Sequence, residues 1–145
     1  MRSDFNFWQR IETRSNDIDS MGHVNSVVYF AYFENIRIEY FRQVGLHRLK
    51  VAGKFGPAVV SQTCNYKEQL FHPSTIEIGC RTVALGERSF TVEYEAYLEG
   101  TDRLVCTGQT VMVWVDYTVP KAISIPVELR NAIAEVEGRT VGGTV

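Results

Sequence analysis

The stretch SNDIDSMGHVNSVVYFAYFENIRIEYFRQV, from Ser15 to Val44, joins two segments of opposite character. The first, Ser15 to Asn25, is rich in Ser, Asn, Asp and Gly, a composition typical of a long structured loop. The second, Ser26 to Val44, contains neither Gly nor Pro and is followed by Gly45, so it predicts a helix roughly 28 Å long. Because the beginning of this helix is apolar nearly all round, we expect other elements to enclose it.

Apolar side chains at helical spacing predict which face of this helix is buried. They are Tyr29, Phe33, Ile36, Tyr40 and Val44. Polar residues are concentrated in the second half, where Glu34 and Arg37 lie three apart; we expect them to pair with each other or to serve a helix–sheet or subunit contact. A short polar side chain, Asn25 or Ser26, is expected to cap the helix start.

Beyond the helix the apolar residues recur with period two, which predicts strands joined by tight turns. A first strand is expected before the loop and a short helix at the end; the ranges are Phe7 to Arg14, Ala58 to Glu68, Ile76 to Leu85, Phe90 to Glu99, Leu104 to Asp116 and, for the helix, Val127 to Glu137. Connections this short require antiparallel pairing. The sequence therefore predicts one α+β domain over residues 1–145, with a helix across a strongly twisted antiparallel sheet and a flexible tail at 138–145.

Composition excludes several classes of function. The chain of 145 residues is 45% hydrophobic and 22% charged, with a formal net charge of -2 and no basic run, which argues against nucleic acid as a partner. It contains no apolar run long enough to span a membrane. Cys64, Cys80 and Cys106 are widely spaced, so we expect neither a metal site nor disulfides, but reduced thiols in a cytoplasmic protein that needs no cofactor.

The loop that precedes the helix contains the side chains that could take part in catalysis. Asp17, Asp19, His23 and Asn25 lie within nine residues, and Gly22 between them allows a sharp turn or the close approach of a ligand. A helix N-terminus offers free amides that can hold a developing oxyanion, and a carboxylate beside it can act as nucleophile or general base. The alternatives are that the aspartates cap turns, that the histidine is structural and that the asparagine is only a helix cap.

The pattern Asp-x-Asp-x-x-Gly-His-Val-Asn over residues 17–25 closely resembles the start of the 4-hydroxybenzoyl-CoA thioesterase-like family of the hotdog fold. The match continues in the helix through Tyr29, Tyr32, Phe33, Glu34 and Arg37, and the whole resemblance runs from about Trp8 to Pro120. The segment Gly22 to Asn25 is also similar to the corresponding part of acyl-ACP thioesterases. The resemblance implies a long helix wrapped by an antiparallel sheet, and a homodimer in which the two sheets join edge to edge, with dimers that often pair into tetramers.

The same resemblance implies hydrolysis of the thioester bond of a fatty or aromatic acyl group carried on coenzyme A or an acyl carrier protein. Asp19 takes the position of the catalytic carboxylate, which attacks the carbonyl or activates water, and the backbone amide of Ser26 or a neighbour polarises that carbonyl. His23 and Asn25 are expected to orient water or substrate. The expected substrate contacts are Gly22, Tyr29 and Phe33.

Two other classes of function remain open for a chain with this resemblance. One is a non-catalytic hotdog protein that binds acyl-CoA without turnover. The other is a hotdog dehydratase acting on 3-hydroxyacyl thioesters, which requires a different arrangement of histidine and acidic residues across the helix.

Overall fold

The computed structural model describes residues 1–48 and 53–143 of the chain. The strands are β1 (Phe7–Glu12), β2 (Phe55–Tyr66), β3 (Thr75–Leu85), β4 (Ser89–Leu98), β5 (Leu104–Asp116) and β6 (Lys121–Ala122), and the helices are α1 (Val28–Val44) and α2 (Val127–Glu137). The predicted order of elements is therefore confirmed. The main differences are that α1 begins two residues later than Ser26 and that β2 begins three residues earlier than Ala58.

The sheet is antiparallel throughout, in the order β1-β3-β4-β5-β2, and β6 pairs with the end of β5. It curls around α1, whose apolar stripe lies in the same core cluster as the inward residues of β3, β4 and β5. This is the α+β hotdog architecture expected from the sequence, a long helix wrapped by a strongly curled antiparallel sheet. One long strand, β2, lies at an edge of the sheet.

The apolar stripe predicted for α1 is buried along its whole length. All five of its residues, from Tyr29 to Val44, are at most 7% exposed. Gly45, with φ of 94°, ends the helix in a left-handed conformation, and its amide donates to the carbonyls of Phe41 and Arg42. At the other end the N-cap is Val27, without a side-chain cap hydrogen bond, so neither Asn25 nor Ser26 caps α1 itself. The Asn25 side-chain oxygen instead accepts from the Val27 amide at 3.0 Å, in the turn that leads into the helix.

Close approach of α1 to the sheet depends on a glycine in β5. The Phe33 ring is fully buried and stacks on Tyr94 of β4, with centroids 4.4 Å apart and planes 6° from parallel. A Cβ at Gly108 would overlap the Phe33 ring. The absence of a side chain at this position in β5 therefore sets how deeply the helix sits in the sheet.

Arg37 does not form the predicted ion pair with Glu34. Its side chain is 9% exposed and turns under the helix, where Nη1 donates to the Tyr94 hydroxyl at 3.1 Å and to Thr110 Oγ1 at 3.4 Å. Glu34 is exposed and forms no ion pair with it. The other expectation, a helix–sheet contact, is the one that the structure bears out, because tertiary packing directs Arg37 inward rather than along the helix surface.

The C-terminal helix covers the open side of the core. Leu129 and Ile133 are fully buried, and the Glu137 carboxylate accepts hydrogen bonds from the Tyr40 hydroxyl and the Thr82 amide. Within the segment 138–145, where we expected a flexible tail, Val141 is 8% exposed and belongs to the core cluster. The flexibility of this segment stays a prediction, as does the single domain over residues 1–145.

Within residues 1–48 and 53–143, no helix combines the length and the apolar character that crossing a membrane requires. All three cysteines are free thiols. In the same ranges, no group of three or more His, Cys, Asp or Glu side chains is arranged to hold a metal ion.

We predict that Gly108→Ala destabilises the protein by about 1–3 kcal/mol, because the added methyl group forces the Phe33 ring out of its packed position. Urea denaturation followed by circular dichroism measures this loss. Gly142→Ala is the matched control, since a Cβ there meets nothing within 4 Å. Equal unfolding free energies for the two variants would show that the helix does not depend on this contact.

Candidate active site

Asp17 anchors the polar loop to α1. Its side chain is 1% exposed, and its carboxylate accepts from the Tyr32 hydroxyl at 2.7 Å and from the Arg14 amide at 2.9 Å. Burial raises the pKa of this carboxyl, but the hydrogen bonds from Tyr32 and Arg14 outweigh burial, so that the pKa lies below its ordinary value. The backbone carbonyl of Asp17 also accepts from the Asn25 amide at 2.8 Å, which closes the loop on itself.

Asp19 lies in a tight turn that orients its carboxylate. Its Oδ1 accepts from the amides of Met21 at 2.9 Å and His23 at 3.2 Å, and its own amide donates to the His23 carbonyl at 2.8 Å. Gly22 makes this turn possible, because its φ of 81° is a conformation that other residues rarely adopt. The side chain is exposed, and its second oxygen, Oδ2, accepts no hydrogen bond from the described residues.

A segment that follows β2 forms the opposite wall of the loop. The Val24 amide donates to the Leu70 carbonyl at 2.8 Å, and the His23 ring meets the Phe71 ring edge to face at 4.6 Å. The Tyr66 hydroxyl, from the end of β2, donates to the Ser26 carbonyl at 2.6 Å. These contacts join the chain around residue 25 to the chain around residue 70, so that a cleft forms between them.

The cleft has a volume of about 360 Å³. Its lining residues are Asp19, His23, Val24, Asn25, Ser26, Tyr29, Tyr66, Lys67, Glu68, Gln69 and Leu70. All four residues predicted to be catalytic therefore meet in one cleft, together with one of the predicted substrate contacts, Tyr29. Gly22 lies in the adjoining turn rather than in the lining.

Phe33, also predicted to contact substrate, is not brought into this cleft. It is 0% exposed and stacks on Tyr94 beneath the helix. Helical spacing places it on the same face as Tyr29, one turn further along. In the described chain its position is that of a core residue that supports the helix behind the cleft.

In the second wall of the cleft, from Tyr66 to Leu70, sequence reasoning singled out Lys67 alone, as a contact for coenzyme phosphates or a solvated strand charge, and missed the rest. These residues lie about forty positions beyond the loop in the chain, and no periodicity or motif connects them to it. The available signal was the apolar pair Leu70 and Phe71 in an otherwise polar segment, since apolar residues after a strand often pack beneath a neighbouring loop.

Free backbone amides at the start of α1 give the cleft its electrostatic character. The amides of Asn25, Val27 and Val28 donate to oxygens of Asp17 and Asn25. The amides of Ser26 and Tyr29 have no such acceptor among the described residues, and both residues line the cleft. An unpaired amide at a helix N-terminus favours negative charge, so the cleft combines a carboxylate with donors suited to an oxyanion.

Comparison with known proteins identifies the same family over most of the chain. The sequence model of the thioesterase-like superfamily matches residues 13–133. The Bacillus subtilis protein YsmA is 34% identical over 124 residues, which cover 85% of this chain and 82% of YsmA.

Solved structures share the fold. A crystal structure of the PA5185 protein from Pseudomonas aeruginosa has a TM-score of 0.83 with 33% identity, and the match covers 97% of this chain and 96% of that one. A thioesterase from Thermus thermophilus, solved with coenzyme A and zinc, has a TM-score of 0.81 with 29% identity, and the match covers 94% and 97% of the two chains.

We predict that Tyr32→Phe destabilises the protein by about 1–3 kcal/mol at pH 7, because it removes a donor from the buried Asp17 carboxylate. The lowered pKa of Asp17 contributes stability that is present above the unfolded value of about 3.9 and is lost as the pH falls through the folded value. The difference between variant and wild type should therefore shrink below about pH 4. Urea denaturation at pH 7 and pH 3 measures both effects.

Tyr117→Phe is the control for this variant, since the Tyr117 hydroxyl donates to a backbone carbonyl from an exposed ring. It should change the unfolding free energy by less than about 0.5 kcal/mol at either pH. A Tyr32→Phe loss that does not depend on pH would contradict the assignment of this bond to an ionised Asp17.

Proposed function

Since this chain belongs to the thioesterase-like superfamily, we propose that it hydrolyses the thioester bond of an acyl group carried on coenzyme A or a related carrier. The observation that carries the proposal is that Asp19 and Ser26, whose amide is free, line one cleft beside the turn that leads into α1. The relative from Thermus thermophilus, solved with coenzyme A, supports coenzyme A as the carrier.

In the proposed reaction, the carbonyl oxygen of the thioester accepts a hydrogen bond from the Ser26 amide. Asp19 either attacks the carbonyl carbon or removes a proton from the water that attacks it. Negative charge builds on the carbonyl oxygen, where the helix terminus stabilises it. The carbon–sulfur bond then breaks, and the carrier leaves as a thiolate that takes up a proton. If Asp19 attacked, the acyl group remains on its carboxylate as a mixed anhydride, which water hydrolyses to restore Asp19; if water attacked, the free acid forms directly. By either route the products are a free acid and the thiol of the carrier. Thiols have pKa values near about 8.5, so the sulfur leaves without strong acid assistance.

The remaining residues of the loop have supporting roles in this proposal. His23 donates its backbone amide to Asp19 and rests its ring on Phe71, so it orients the carboxylate and borders the water site. Asn25 fixes the first turn before α1 and leaves the Ser26 amide free. Gly22 allows the turn that brings two amides onto one carboxylate oxygen.

The acyl group, fatty or aromatic, is proposed to lie against the buried apolar side chains of the lining, Val24, Tyr29 and Leu70. Tyr66 meets Tyr29 edge to face at 4.9 Å and forms an aromatic side of the cleft. Lys67 is the cation at this site and is suited to a carrier phosphate.

We further propose that the enzyme works as a homodimer joined along β2, with pairing of dimers into tetramers as a further step. Edge strand β2 is twelve residues long, and Val59 and Val60 on it are 44% and 58% exposed. A long edge strand with exposed apolar side chains invites pairing with a second sheet. The free thiols are in keeping with a reducing compartment, and we propose the cytoplasm.

We predict that Asp19→Asn lowers kcat on a good acyl-CoA substrate by about 10²–10⁴-fold, because the amide can neither attack nor accept a proton. A thiol-release assay over a panel of aliphatic and aromatic acyl-CoAs measures the loss. Asp102→Asn is the matched control, since this carboxylate is 98% exposed in the turn between β4 and β5. Full activity of Asp19→Asn would refute the mechanism.

The same assay tests the role of His23; acyl-CoA binding and loss of water, measured beside it, test the nature of the reaction. His23→Ala should lose less activity than Asp19→Asn, because the backbone amide of residue 23 remains; a greater loss would reverse the two roles. Binding of acyl-CoA without thiol release would identify a non-catalytic binding protein. Loss of water from a 3-hydroxyacyl thioester would identify a dehydratase.

We predict that Val60→Asp lowers the oligomeric state, because a buried carboxylate at the joined edge has no partner there. Sedimentation equilibrium over a range of protein concentrations measures the change. Val127→Asp, at the 65% exposed start of α2, should leave the assembly as it is. A wild-type protein that stays monomeric at all concentrations would refute the proposed interface along β2.

A further inference from the structure

Tyr66 reaches across the cleft to the turn that leads into α1. Its hydroxyl donates to the Ser26 carbonyl at 2.6 Å, and its ring meets the Tyr29 ring edge to face at 4.9 Å. The backbone behind the ring is also fixed, because Tyr66 is the last residue of β2 and is paired with Cys106 of β5. The end of a strand and the first turn of the helix therefore hold this hydroxyl in place from two sides.

The carbonyl that accepts this hydrogen bond lacks its usual partner. In a regular helix the Ser26 carbonyl would accept from the amide four residues later, that of Phe30. The Phe30 amide instead donates to the Val27 carbonyl at 3.2 Å, and no other amide of the described residues donates to Ser26. The Tyr66 hydroxyl is thus the group that fixes the direction of this carbonyl.

Hydrogen bonds hold the peptide groups on both sides of Ser26. In the peptide before it, the Asn25 carbonyl accepts from the Val28 amide at 2.9 Å. In the peptide after it, the Val27 amide donates to the Asn25 side chain at 3.0 Å and the Ser26 carbonyl accepts from Tyr66. Because peptide groups are planar, holding both of them restricts rotation about Ser26 and hence the direction of its own amide. That amide, which has no acceptor among the described residues, is the donor proposed for the oxyanion.

The Tyr66 hydroxyl remains a donor under physiological conditions. A carbonyl has no proton to give, so the hydroxyl must supply the proton of this hydrogen bond. The pKa of Tyr66 lies above the ordinary value for tyrosine, chiefly because burial disfavours the phenolate. The bond therefore persists over the pH range in which a thioester hydrolase would work.

We propose that Tyr66 is a positioning residue for thioester hydrolysis: by holding the Ser26 carbonyl, it keeps the free Ser26 amide directed at the carbonyl oxygen of the substrate. This inference rests on the proposed function and assigns a part in it to the second wall of the cleft. A directed donor stabilises the charge of the transition state more than it stabilises the bound substrate. The Tyr66 hydroxyl should therefore act on kcat rather than on KM.

Tyr66→Phe tests this role, because it removes the hydroxyl and keeps the ring against Tyr29. We expect kcat on a good acyl-CoA substrate to fall by about tenfold while KM changes by less than about twofold. The loss should be smaller than the factor of about 10²–10³ that removal of an oxyanion donor causes, because the amide itself remains. A thiol-release assay over a range of substrate concentrations measures both constants. A change in KM alone would show that Tyr66 only binds substrate, and would overturn the proposal.

Tyr117→Phe is the matched control. Tyr117 is 48% exposed and Tyr66 is 47% exposed, and the Tyr117 hydroxyl also donates to a backbone carbonyl, that of Pro57, at 2.7 Å. Neither Tyr117 nor Pro57 lines the cleft of Asp19. This variant should keep the kcat and KM of the wild type. An equal loss of kcat in both variants would trace the effect to the fold rather than to Ser26, and would contradict the positioning role.

A double-mutant cycle with Asn25→Ala tests whether the effect passes through the peptide between Ser26 and Val27. Asn25 and Tyr66 hold opposite ends of that peptide, so loss of either side chain should release it. We therefore expect the combined variant to lose less kcat than the product of the two single losses. Losses that multiply would show that the two side chains act separately, against the proposal.

The assay also separates this inference from the proposed function. A wild-type protein that releases thiol, together with a Tyr66→Phe variant of full kcat, would refute the positioning role and leave the hydrolysis proposal intact. A wild-type protein that releases no thiol from any acyl-CoA of the panel would refute both.

Discussion

The burial of one face of α1 against the curled sheet is the constraint on which the rest of the structure depends. That face contains hydroxyl and guanidinium groups as well as apolar surface, and each polar group taken out of water needs a partner. The Tyr32 hydroxyl donates a hydrogen bond to the Asp17 carboxylate, and the Arg37 guanidinium donates one to the Tyr94 hydroxyl on the sheet. The Tyr40 hydroxyl donates to the Glu137 carboxylate on α2. Three buried polar groups of the helix thus bind three different parts of the fold: the loop, the sheet and the C-terminal helix.

The fold could be predicted from the sequence because its strongest signals are periodic. The stripe from Tyr29 to Val44 and the period-two strands specify which residues are inside, and the tight turns require antiparallel order. Contacts that depend on distance in space rather than on period could not be predicted. The inward turn of Arg37 and the burial of Val141 both follow from the position of the sheet around α1, which no local pattern contains.

Prediction of the site has the same limit. The motif from Asp17 to Asn25 identifies one wall of the cleft because those residues are adjacent in the chain. The other wall, Tyr66 to Leu70, depends on β2 passing beside the start of α1, and this is a consequence of strand order. Phe33 illustrates a further limit: helical period predicts that a residue faces the core, but it does not distinguish the lining of a cleft from the core behind it.

Asp17 and Asp19 are the same residue type, two positions apart, and the structure gives them different environments. The Asp17 carboxylate is buried and accepts hydrogen bonds on both oxygens, so it has nothing left to offer a substrate. The Asp19 carboxylate is exposed and lines the cleft, and only its Oδ1 accepts hydrogen bonds. Its Oδ2 accepts none from the described residues. A carboxylate held on one side and free on the other has a fixed direction and an available lone pair, which is what a nucleophile or a general base requires. Hydrogen bonding therefore makes Asp17 the anchor of the loop and leaves Asp19 with the free oxygen that the proposed reaction requires.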